Sequence, residues 1–248
     1  MRNLFAASAV VLSGLFLAGC NKDDDQPVPE QPAAGLMAAN LATDKASIGV
    51  SLSGNPLGSQ PLAYAAYTGG YLPVFPGDRP VTAFDVSSGN EFTSDNFTFE
   101  QDKYYSLFVI GANNNYRNVF VNDDFESLDV NGSAYIRFIN AIPDSSGTNT
   151  VTISSGGSNV INQSAPYSTI SNFTEIAPGS VTIDIANGGT IDADRTITVE
   201  ANKVYTVLLI GDPASLTTDV EIRYIENGLL EDQPAGRASA ASQSTGSK

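Results

Sequence analysis

Residues 196–211 read TITVEANKVYTVLLIG, and residues 96–111 read NFTFEQDKYYSLFVIG. The two stretches share six of their sixteen positions, where unrelated sequences of ordinary composition share about one. The identical pairs are Thr98/Thr198, Glu100/Glu200, Lys103/Lys203, Tyr105/Tyr205, Ile110/Ile210 and Gly111/Gly211. Each copy has an alternating segment, a short polar turn and a more apolar segment that ends at glycine, which predicts a β-hairpin. The chain is therefore predicted to contain two copies of one all-β unit.

The two copies define two predicted domains. Repeat 1 spans residues 36–125, repeat 2 spans residues 133–230, and a linker of residues 126–132 separates them. About seven or eight short strands per repeat, with turns at regular spacing, predict two tandem immunoglobulin-like antiparallel β-sandwich domains. A single closed barrel is the alternative, and the duplication counts against it. Residues 104–110 are apolar almost throughout, so we expect a central strand covered on both faces. The short linker predicts that the repeats sit end to end.

The chain begins with the features of a bacterial lipoprotein signal peptide. Within residues 1–19, Arg2 supplies a positive charge, residues 4–17 are an apolar run, and Leu-Ala-Gly precedes Cys20, the one cysteine of the sequence. This combination resembles the bacterial lipobox, and the resemblance implies that Cys20 is acylated and becomes the mature amino terminus. Each buried methylene is worth about 0.8 kcal/mol, so several acyl chains, palmitate among them, hold a protein to a membrane stably. An ordinary secreted protein with a stray cysteine is the alternative.

Residues 20–35 form the predicted lipidated, proline-rich tether. A lysine and an acidic run in it resemble the export signal of Gram-negative bacteria that display lipoproteins on the cell surface: Lys22, Asp23, Asp24 and Asp25. Asn21 stands where the inner-membrane retention signal has Asp. The predicted location is therefore the outer face of the outer membrane, with the periplasmic face as the alternative. Residues 231–248 are small, polar and aperiodic, which predicts a disordered tail.

Charge and composition exclude several classes of function. The sequence has 12 basic and 27 acidic residues and a net charge of −15, so it repels polyphosphates and nucleic acid is not an expected partner. Histidine is absent, which excludes Ser-His-Asp hydrolysis, histidine general bases and histidine-ligated metals. Because Cys20 is the predicted lipid carrier, no thiol nucleophile is available. We expect neither a cofactor nor a metal.

Carboxylates are the remaining candidates for catalysis or for calcium binding. Glu100 and Glu200 occupy the same position of both repeats beside the predicted turns, which favours a role in the turn over glycoside hydrolysis. Some loop residues carry oxygen ligands for calcium, but none of them reproduces the spacing of an EF-hand: Asp123, Asp124, Asp144, Asn149, Asp192 and Asp194. A solvated loop is the favoured interpretation of these residues.

One aromatic cluster distinguishes repeat 1 from repeat 2. Residues 61–80 read PLAYAAYTGGYLPVFPGDRP, in which Tyr64, Tyr67, Tyr71 and Phe75 recur three to four positions apart. Intervening prolines and a glycine pair exclude a regular helix, so the rings lie on a loop and short strands. If they are exposed, the rings form a platform for an extracellular glycan or a protein partner. If they are buried, they fill the sandwich, which is the favoured interpretation.

Three features of repeat 2 resemble one bacterial extracellular family. They are the sequence NAIPD at residues 140–144, the segment PYSTISNFTEIAPGS at residues 166–180, and the closing strand KVYTVLLIG at residues 203–211. These features resemble the family known as domain of unknown function 4397 (DUF4397), and repeat 1 shares them more faintly as a second tandem copy. The resemblance implies a β-sandwich outside the cytoplasm and implies no reaction.

These observations predict a non-enzymatic protein of the cell envelope. It is anchored to the outer membrane by lipid on Cys20, and it has a binding, adhesion or structural role with an extracellular glycan or protein as partner. The alternatives are a glycoside hydrolase that uses carboxylates and a calcium-dependent carbohydrate-binding module.

Overall fold

The computed structural model describes residues 31–143, 148–215 and 218–230. The strands of repeat 1 are β1 (Ala34–Ala42), β2 (Ser47–Leu52), β3 (Asn55–Pro56), β4 (Leu62–Ala63), β5 (Leu72–Val74), β6 (Gly77–Asp85), β7 (Glu91–Phe99), β8 (Tyr104–Ala112) and β9 (Asn115–Asn122). A 3-10 turn at Phe125–Ser127 follows. The strands of repeat 2 are β10 (Ala134–Asn140), β11 (Thr150–Ser155), β12 (Ser158–Ser164), β13 (Thr174–Ile176), β14 (Gly179–Ala186), β15 (Asp192–Val199), β16 (Lys203–Ile210) and β17 (Glu221–Leu229).

Several predictions fall on other parts of the chain. The predicted signal peptide, Cys20, the export residues Lys22, Asp23, Asp24 and Asp25, and the predicted tail lie outside the described residues. Within the described ranges, no helix has the length and apolar character needed to cross a membrane.

Each repeat folds as two sheets packed face to face, and the sheet that faces the other repeat is called inner. In repeat 1 the outer sheet has the order β3-β2-β6-β7, with β4 also paired to β2, and the inner sheet has the order β5-β1-β8-β9. Repeat 2 has an outer sheet of order β12-β11-β14-β15 and an inner sheet of order β13-β10-β16-β17. The prediction of two all-β sandwiches is confirmed. One detail differs, because β1 pairs with β8, and β10 with β16, in parallel.

The parallel pairs follow from the path of the chain. Between β1 and β8 the chain builds the outer sheet, so these two strands are not joined by a tight turn that would force an antiparallel direction. Alternation along the outer strands then fills each sandwich. On β14, for example, Val181, Ile183 and Ile185 are fully buried, whereas Thr182 and Asp184 are more exposed. Full burial of one such apolar side chain is worth about 1.5–3 kcal/mol.

The repeated stretch forms an arch between two sheets and is not the predicted hairpin. β7 pairs with β6 in the outer sheet, whereas β8 pairs with β1 and β9 in the inner sheet, and β15 and β16 divide in the same way. The hairpin prediction is wrong because β8 is buried on both faces while β7 has a largely exposed face, which places the two strands in different layers. The recurrent residues shape the arch, since the backbone N–H groups of Glu100 and Glu200 donate to the hydroxyls of Tyr105 and Tyr205 at 3.2 and 3.0 Å.

The inner sheets of the two repeats pack against each other. Their shared core uses the same face of both repeats: Met37, Ala39, Leu41, Phe108 and Ile110 from repeat 1, and Ile139, Ala141, Leu208, Ile210 and Ile225 from repeat 2. Every residue of β1 and β8 is buried, which confirms the central strand covered on both faces. The repeats therefore lie face to face and not end to end, because a sheet with two apolar faces needs a cover on each.

Candidate functional site

The four residues of the predicted aromatic platform separate in the structure. Tyr64, Tyr67 and Tyr71 are partly buried and pack on the shared core between the repeats. The Tyr71 hydroxyl donates to Asp123 Oδ2 at 2.6 Å. Burial raises the pKa of this hydroxyl well above its ordinary value, and the Asp123 carboxylate raises it further. Phe75, by contrast, is 61% exposed. Of the four rings, Phe75 alone offers a broad surface to solvent.

Phe75 lines a groove of about 320 Å³ at the mouth of the repeat 1 sandwich. The groove lies between β3 and β5, which are edge strands of the outer and the inner sheet. Its walls are mostly apolar and are formed by Leu52, Pro56, Leu57, Pro73 and Val74, together with the polar side chains of Asn55 and Arg79. A second groove of about 230 Å³ shares Pro56 and Leu57 with the first and is lined in part by Phe84 and Val86.

Arg79 places a guanidinium in the groove of Phe75. It lies on β6, where the inward side chains Val81 and Ala83 alternate with more exposed neighbours, so Arg79 falls on the inner face of this strand. Its Nη2 atom donates to the carbonyl oxygen of Pro76 at 3.1 Å, which holds the side chain beside Phe75. Within the described ranges, Arg79 forms no ion pair. The groove therefore combines an exposed ring with a cation that forms no ion pair with a carboxylate of the described residues.

Repeat 2 has different residues at both positions. The strand register makes Arg79 equivalent to Val181, and the shared Pro-Gly pair that follows makes Phe75 equivalent to Ala177. Val181 is fully buried in the core of repeat 2. Repeat 1 thus carries an aromatic ring and a cation where repeat 2 has a small residue and a core valine. This difference between the copies marks the groove as the candidate site.

A closed ring of polar groups lies in the core between the repeats. Arg137 on β10 places Nη1 2.6 Å from Asp123 Oδ1, and both residues are buried. Hydrogen bonds run from Arg137 Nε to Thr206 Oγ1 (3.0 Å), from the Thr206 hydroxyl to Asn227 Oδ1 (2.7 Å), from Asn227 Nδ2 to the Tyr71 hydroxyl (3.0 Å), and from the Tyr71 and Ser106 hydroxyls to Asp123 Oδ2 (2.6 Å each). The carboxylate of Asp123 is therefore already engaged and is not an open ligand for calcium.

A cleft of about 360 Å³ opens between the repeats next to this ring. Its polar lining comes from Asn122, Asp124, Ser127, Ser171 and Asn172, and Phe173 packs on the Arg137 guanidinium with 4.2 Å between the guanidinium carbon and the ring centroid. Among the lining residues, Arg137 is the one cation, and it already bonds Asp123, Ser106 and Thr206. The guanidinium of this cleft is therefore less available to a charged ligand than the Arg79 guanidinium in the groove of Phe75.

The other carboxylates that the sequence singled out do not converge. Glu100 and Glu200 lie at the arches of separate repeats, and Lys203 Nζ lies 3.2 Å from Glu200. Asp192 and Asp194 are exposed on β15. Across residues 31–143, 148–215 and 218–230, no group of three or more His, Cys, Asp or Glu is arranged to hold a metal ion. Asp144 falls outside these ranges.

Sequence reasoning did not single out Arg79 or the pairing of Arg137 with Asp123. A signal for Arg79 was present, because alignment of Pro76 and Gly77 with the same pair in repeat 2 sets an arginine against a valine that faces the core. Arg137 stands inside the apolar strand AYIRFIN, which indicates a buried charge and hence a buried partner. Its partner lies in the other repeat, and periodicity along one strand does not reveal it.

Similar chains occur among solved structures. One is the carbohydrate-binding module CBMbc of family CBM26 from Eubacterium rectale Amy13K, in complex with maltoheptaose, at 9% identity and a TM-score of 0.25 over 80% of this chain and 99% of that chain. Another is a candidate cell adhesion protein from Bacteroides eggerthii, at 12% identity and a TM-score of 0.23 over 79% of this chain and 97% of that chain. These TM-scores are too low to support a functional argument.

Comparison with curated proteins finds no match. Comparison with protein families gives a match to each repeat. Residues 34–147 and residues 134–240 both match the family described as "Domain of unknown function (DUF4397)". Together the two matches span most of the chain, so the protein belongs to the DUF4397 family and contains two tandem copies of its domain.

Proposed function

We propose that the protein is a lipid-anchored module of the cell envelope that binds an extracellular glycan or protein without catalysis, through the groove of repeat 1. The observation that carries this proposal is the 61% exposure of Phe75 in a groove that also holds Arg79. A large ring with an exposed face is an effective anchor for a partner, because it buries apolar area and loses little conformational entropy on binding. The equivalent Ala177 in repeat 2 provides no such anchor.

The proposed anchor is the acylated Cys20, with surface display directed by the residues that follow it. The apolar run that ends in Leu-Ala-Gly-Cys supports acylation, and Lys22 with the acidic run behind it supports export to the outer face of the outer membrane. The body that carries the groove would then stand outside the cell, where glycans and other proteins are accessible.

Protease treatment of cells tests the location. The native chain is produced in a Gram-negative host of the surface-displaying type, and intact and lysed cells are treated with protease and compared by immunoblot. We expect degradation in both samples. Protection in intact cells alone would place the protein on the periplasmic face. A Cys20→Ala variant is expected to leave the membrane fraction, and its retention there would contradict the lipid anchor.

Binding is tested with the full chain purified in detergent, on a glycan array and on cells that carry surface proteins. We expect Phe75→Ala to reduce binding at least tenfold. A matched control is Val130→Ala. Val130 is similarly exposed (56%) but lies in the linker of residues 126–132 and does not line the groove. Equal binding by Phe75→Ala and the unaltered chain would contradict the groove as the binding site, and the absence of any ligand would contradict the binding role.

A further inference from the structure

The side chains of the groove in repeat 1 limit the class of ligand that it can bind. From it we infer that the protein binds a saccharide with a single carboxylate, in which Arg79 pairs with the carboxylate and Phe75 stacks on the apolar face of the sugar ring. This ligand class rests on the proposed binding function and deepens it. Three observations support it: a guanidinium without an ion pair among the described residues, the exposed ring beside it, and prolines on the strands that border the groove.

The guanidinium of Arg79 suits a carboxylate. Arginine carries five N–H donors in a planar fork that matches the two oxygens of a carboxylate. One hydrogen bond to Pro76 fixes the side chain, and the described residues supply no carboxylate to it. The bond to Pro76 also limits the rotamers that a ligand would otherwise have to freeze, which lowers the entropic cost of binding.

Phe75 supplies the apolar half of the recognition. Its side chain is largely exposed while its neighbour Val74 is buried, so the strand β5 fixes the backbone beneath the ring. The C–H face of a sugar ring is apolar and packs on an aromatic face, which removes apolar area from water on both sides. Asn55, on the opposite edge strand, adds an amide that both donates and accepts hydrogen bonds, as sugar hydroxyls require.

A peptide strand is a poorer occupant of this groove. The bordering edge strands β3 and β5 contain Pro56 and Pro73, and each proline removes the backbone N–H that an added strand needs. A further proline, Pro76, comes directly after Phe75 in the sequence, just past the end of β5. Addition of a strand at either edge is therefore hindered, whereas a saccharide uses the side chains of the groove and not its backbone.

The charge of the whole protein limits how many carboxylates the ligand carries. With a net charge of −15, the surface repels a densely charged polyanion at long range. One guanidinium in the groove offsets this repulsion for one carboxylate. The expected ligand is thus a mostly neutral glycan with one acidic sugar, and not a polyuronate or a sulfated chain.

Matched sugars test the inference on the full chain purified in detergent. The probes are two oligosaccharides with the same neutral backbone, one ending in glucuronic acid and the other in glucose, which differ in one carboxylate. A polyglucuronate is the densely charged case. We expect the acidic probe to bind about tenfold or more tightly than the neutral one, as a charge-assisted bidentate pair provides. We expect the polyanion to bind more weakly, per sugar, than the singly charged probe.

Three variants assign the preference to its residues, and a fourth, Arg223→Val, is the control. Arg79→Val, which installs the repeat 2 residue, should abolish the preference for the acidic probe while neutral binding persists, and Arg79→Lys should retain only part of it because lysine lacks the fork. Phe75→Ala should lower the affinity for the acidic and the neutral probe by the same factor. Arg223→Val removes an exposed arginine of repeat 2 and should change nothing. Thermal denaturation confirms that each variant is folded.

The outcomes separate this inference from the binding function. Equal affinity for the acidic and the neutral probe, or an acidic preference that survives in folded Arg79→Val, would overturn the inference and leave the glycan-binding groove in place. Binding to a protein ligand with no binding to any saccharide would also overturn it. Failure of every glycan and protein to bind would overturn the proposed function itself.

Discussion

Arg137 of repeat 2 forms a fully buried ion pair with Asp123 of repeat 1, with 2.6 Å between Nη1 and Oδ1 and at most 1% of either side chain exposed. Ser106 and Thr206, which occupy equivalent positions of the two repeats, flank the pair, and each accepts a hydrogen bond from the Arg137 guanidinium. The Ser106 hydroxyl bonds both members of the ion pair, whereas the Thr206 hydroxyl bonds only its cation. The two inner sheets are thus similar in fold and complementary in charge at this point.

Removal of one partner of this pair should destabilise the protein strongly. Asp123→Ala leaves the Arg137 charge buried without a counter-ion, and we expect a loss of about 3–5 kcal/mol in the free energy of unfolding. Urea unfolding of the full chain in detergent measures the loss. Replacement of both residues, Asp123→Leu with Arg137→Met, should recover much of it, because no unpaired charge remains.

An exposed ion pair provides the control for this experiment. Lys203 Nζ lies 3.1 Å from Glu226 Oε1, and both side chains are partly exposed. Because solvent and salt screen such a pair, Glu226→Ala should change stability far less than Asp123→Ala does. A loss in Asp123→Ala that is as small as the loss in Glu226→Ala would contradict the importance of the buried pair.

The glycine that ends the repeated stretch should not tolerate a side chain. Gly111 has a φ of +125°, and a Cβ atom placed there would lie 2.1 Å from the carbonyl oxygen of Asn115. Gly111→Ala adds a backbone clash to an unfavourable φ, so we expect a destabilisation of about 2 kcal/mol or more.

Two other glycines separate the clash from the backbone angle. Gly54 has a φ of +80° but open space around it, and Gly70 has open space and no positive φ. Thermal denaturation should therefore rank the losses as Gly111→Ala, then Gly54→Ala, then Gly70→Ala. A loss in Gly111→Ala no larger than that in Gly54→Ala would show that the neighbouring turn moves aside.

The hydroxyl of Tyr167, between the repeats, is buried without a hydrogen bond to the described residues. Removal of such a group relieves a desolvation cost, so we expect Tyr167→Phe to leave stability unchanged or to raise it by about 1 kcal/mol. Tyr71→Phe is the matched comparison. Its hydroxyl bonds Asp123 and Asn227, and its removal should cost about 1–3 kcal/mol. Equal losses in the two variants, measured by urea unfolding, would contradict this difference.

Alkaline pH should lower the stability of the protein through Tyr64, another partly buried tyrosine between the repeats. Burial, together with the Glu221 carboxylate, raises the pKa of Tyr64 to about 12, whereas an unfolded tyrosine titrates near about 10. Between these values the unfolded chain releases a proton that the folded chain retains, so stability falls as pH rises from about 10 to 12 and is unaffected below that window. Melting temperatures from pH 8 to 12 measure the fall. Tyr64→Phe should make it shallower, and an identical slope would contradict the assignment.

The sequence predicts whether a strand is buried on one face or on two better than it predicts which sheet covers each face. Apolar character along the whole of β8 correctly indicates burial on two faces, since every second residue would otherwise be polar. It does not say which sheet supplies the second cover, because that cover belongs to a segment about a hundred residues away. The same limit explains the hairpin error. A strand, a turn and a strand form either a hairpin or an arch, and the difference lies in which neighbours accept the backbone hydrogen bonds.

The candidate site follows the same rule. The sequence pointed to an aromatic cluster peculiar to repeat 1, and one member of it, Phe75, lies exposed in the groove. Tyr64, Tyr67 and Tyr71 belong to the interface between the repeats, a surface that the sequence did not predict. Spacing along the chain therefore located the region, and the packing of the two repeats decided which ring remains available.

The shared core also determines how the protein assembles at low abundance. Two separate sandwiches with apolar inner sheets would meet only as often as their surface density allowed, and many would remain alone. Here the eleven residues 123–133 join Asn122 at the end of one inner sheet to Ala134 at the start of the other. The second sandwich therefore meets the first at an effective concentration on the order of millimolar. Closure of the shared core is thereby independent of how many copies a cell makes.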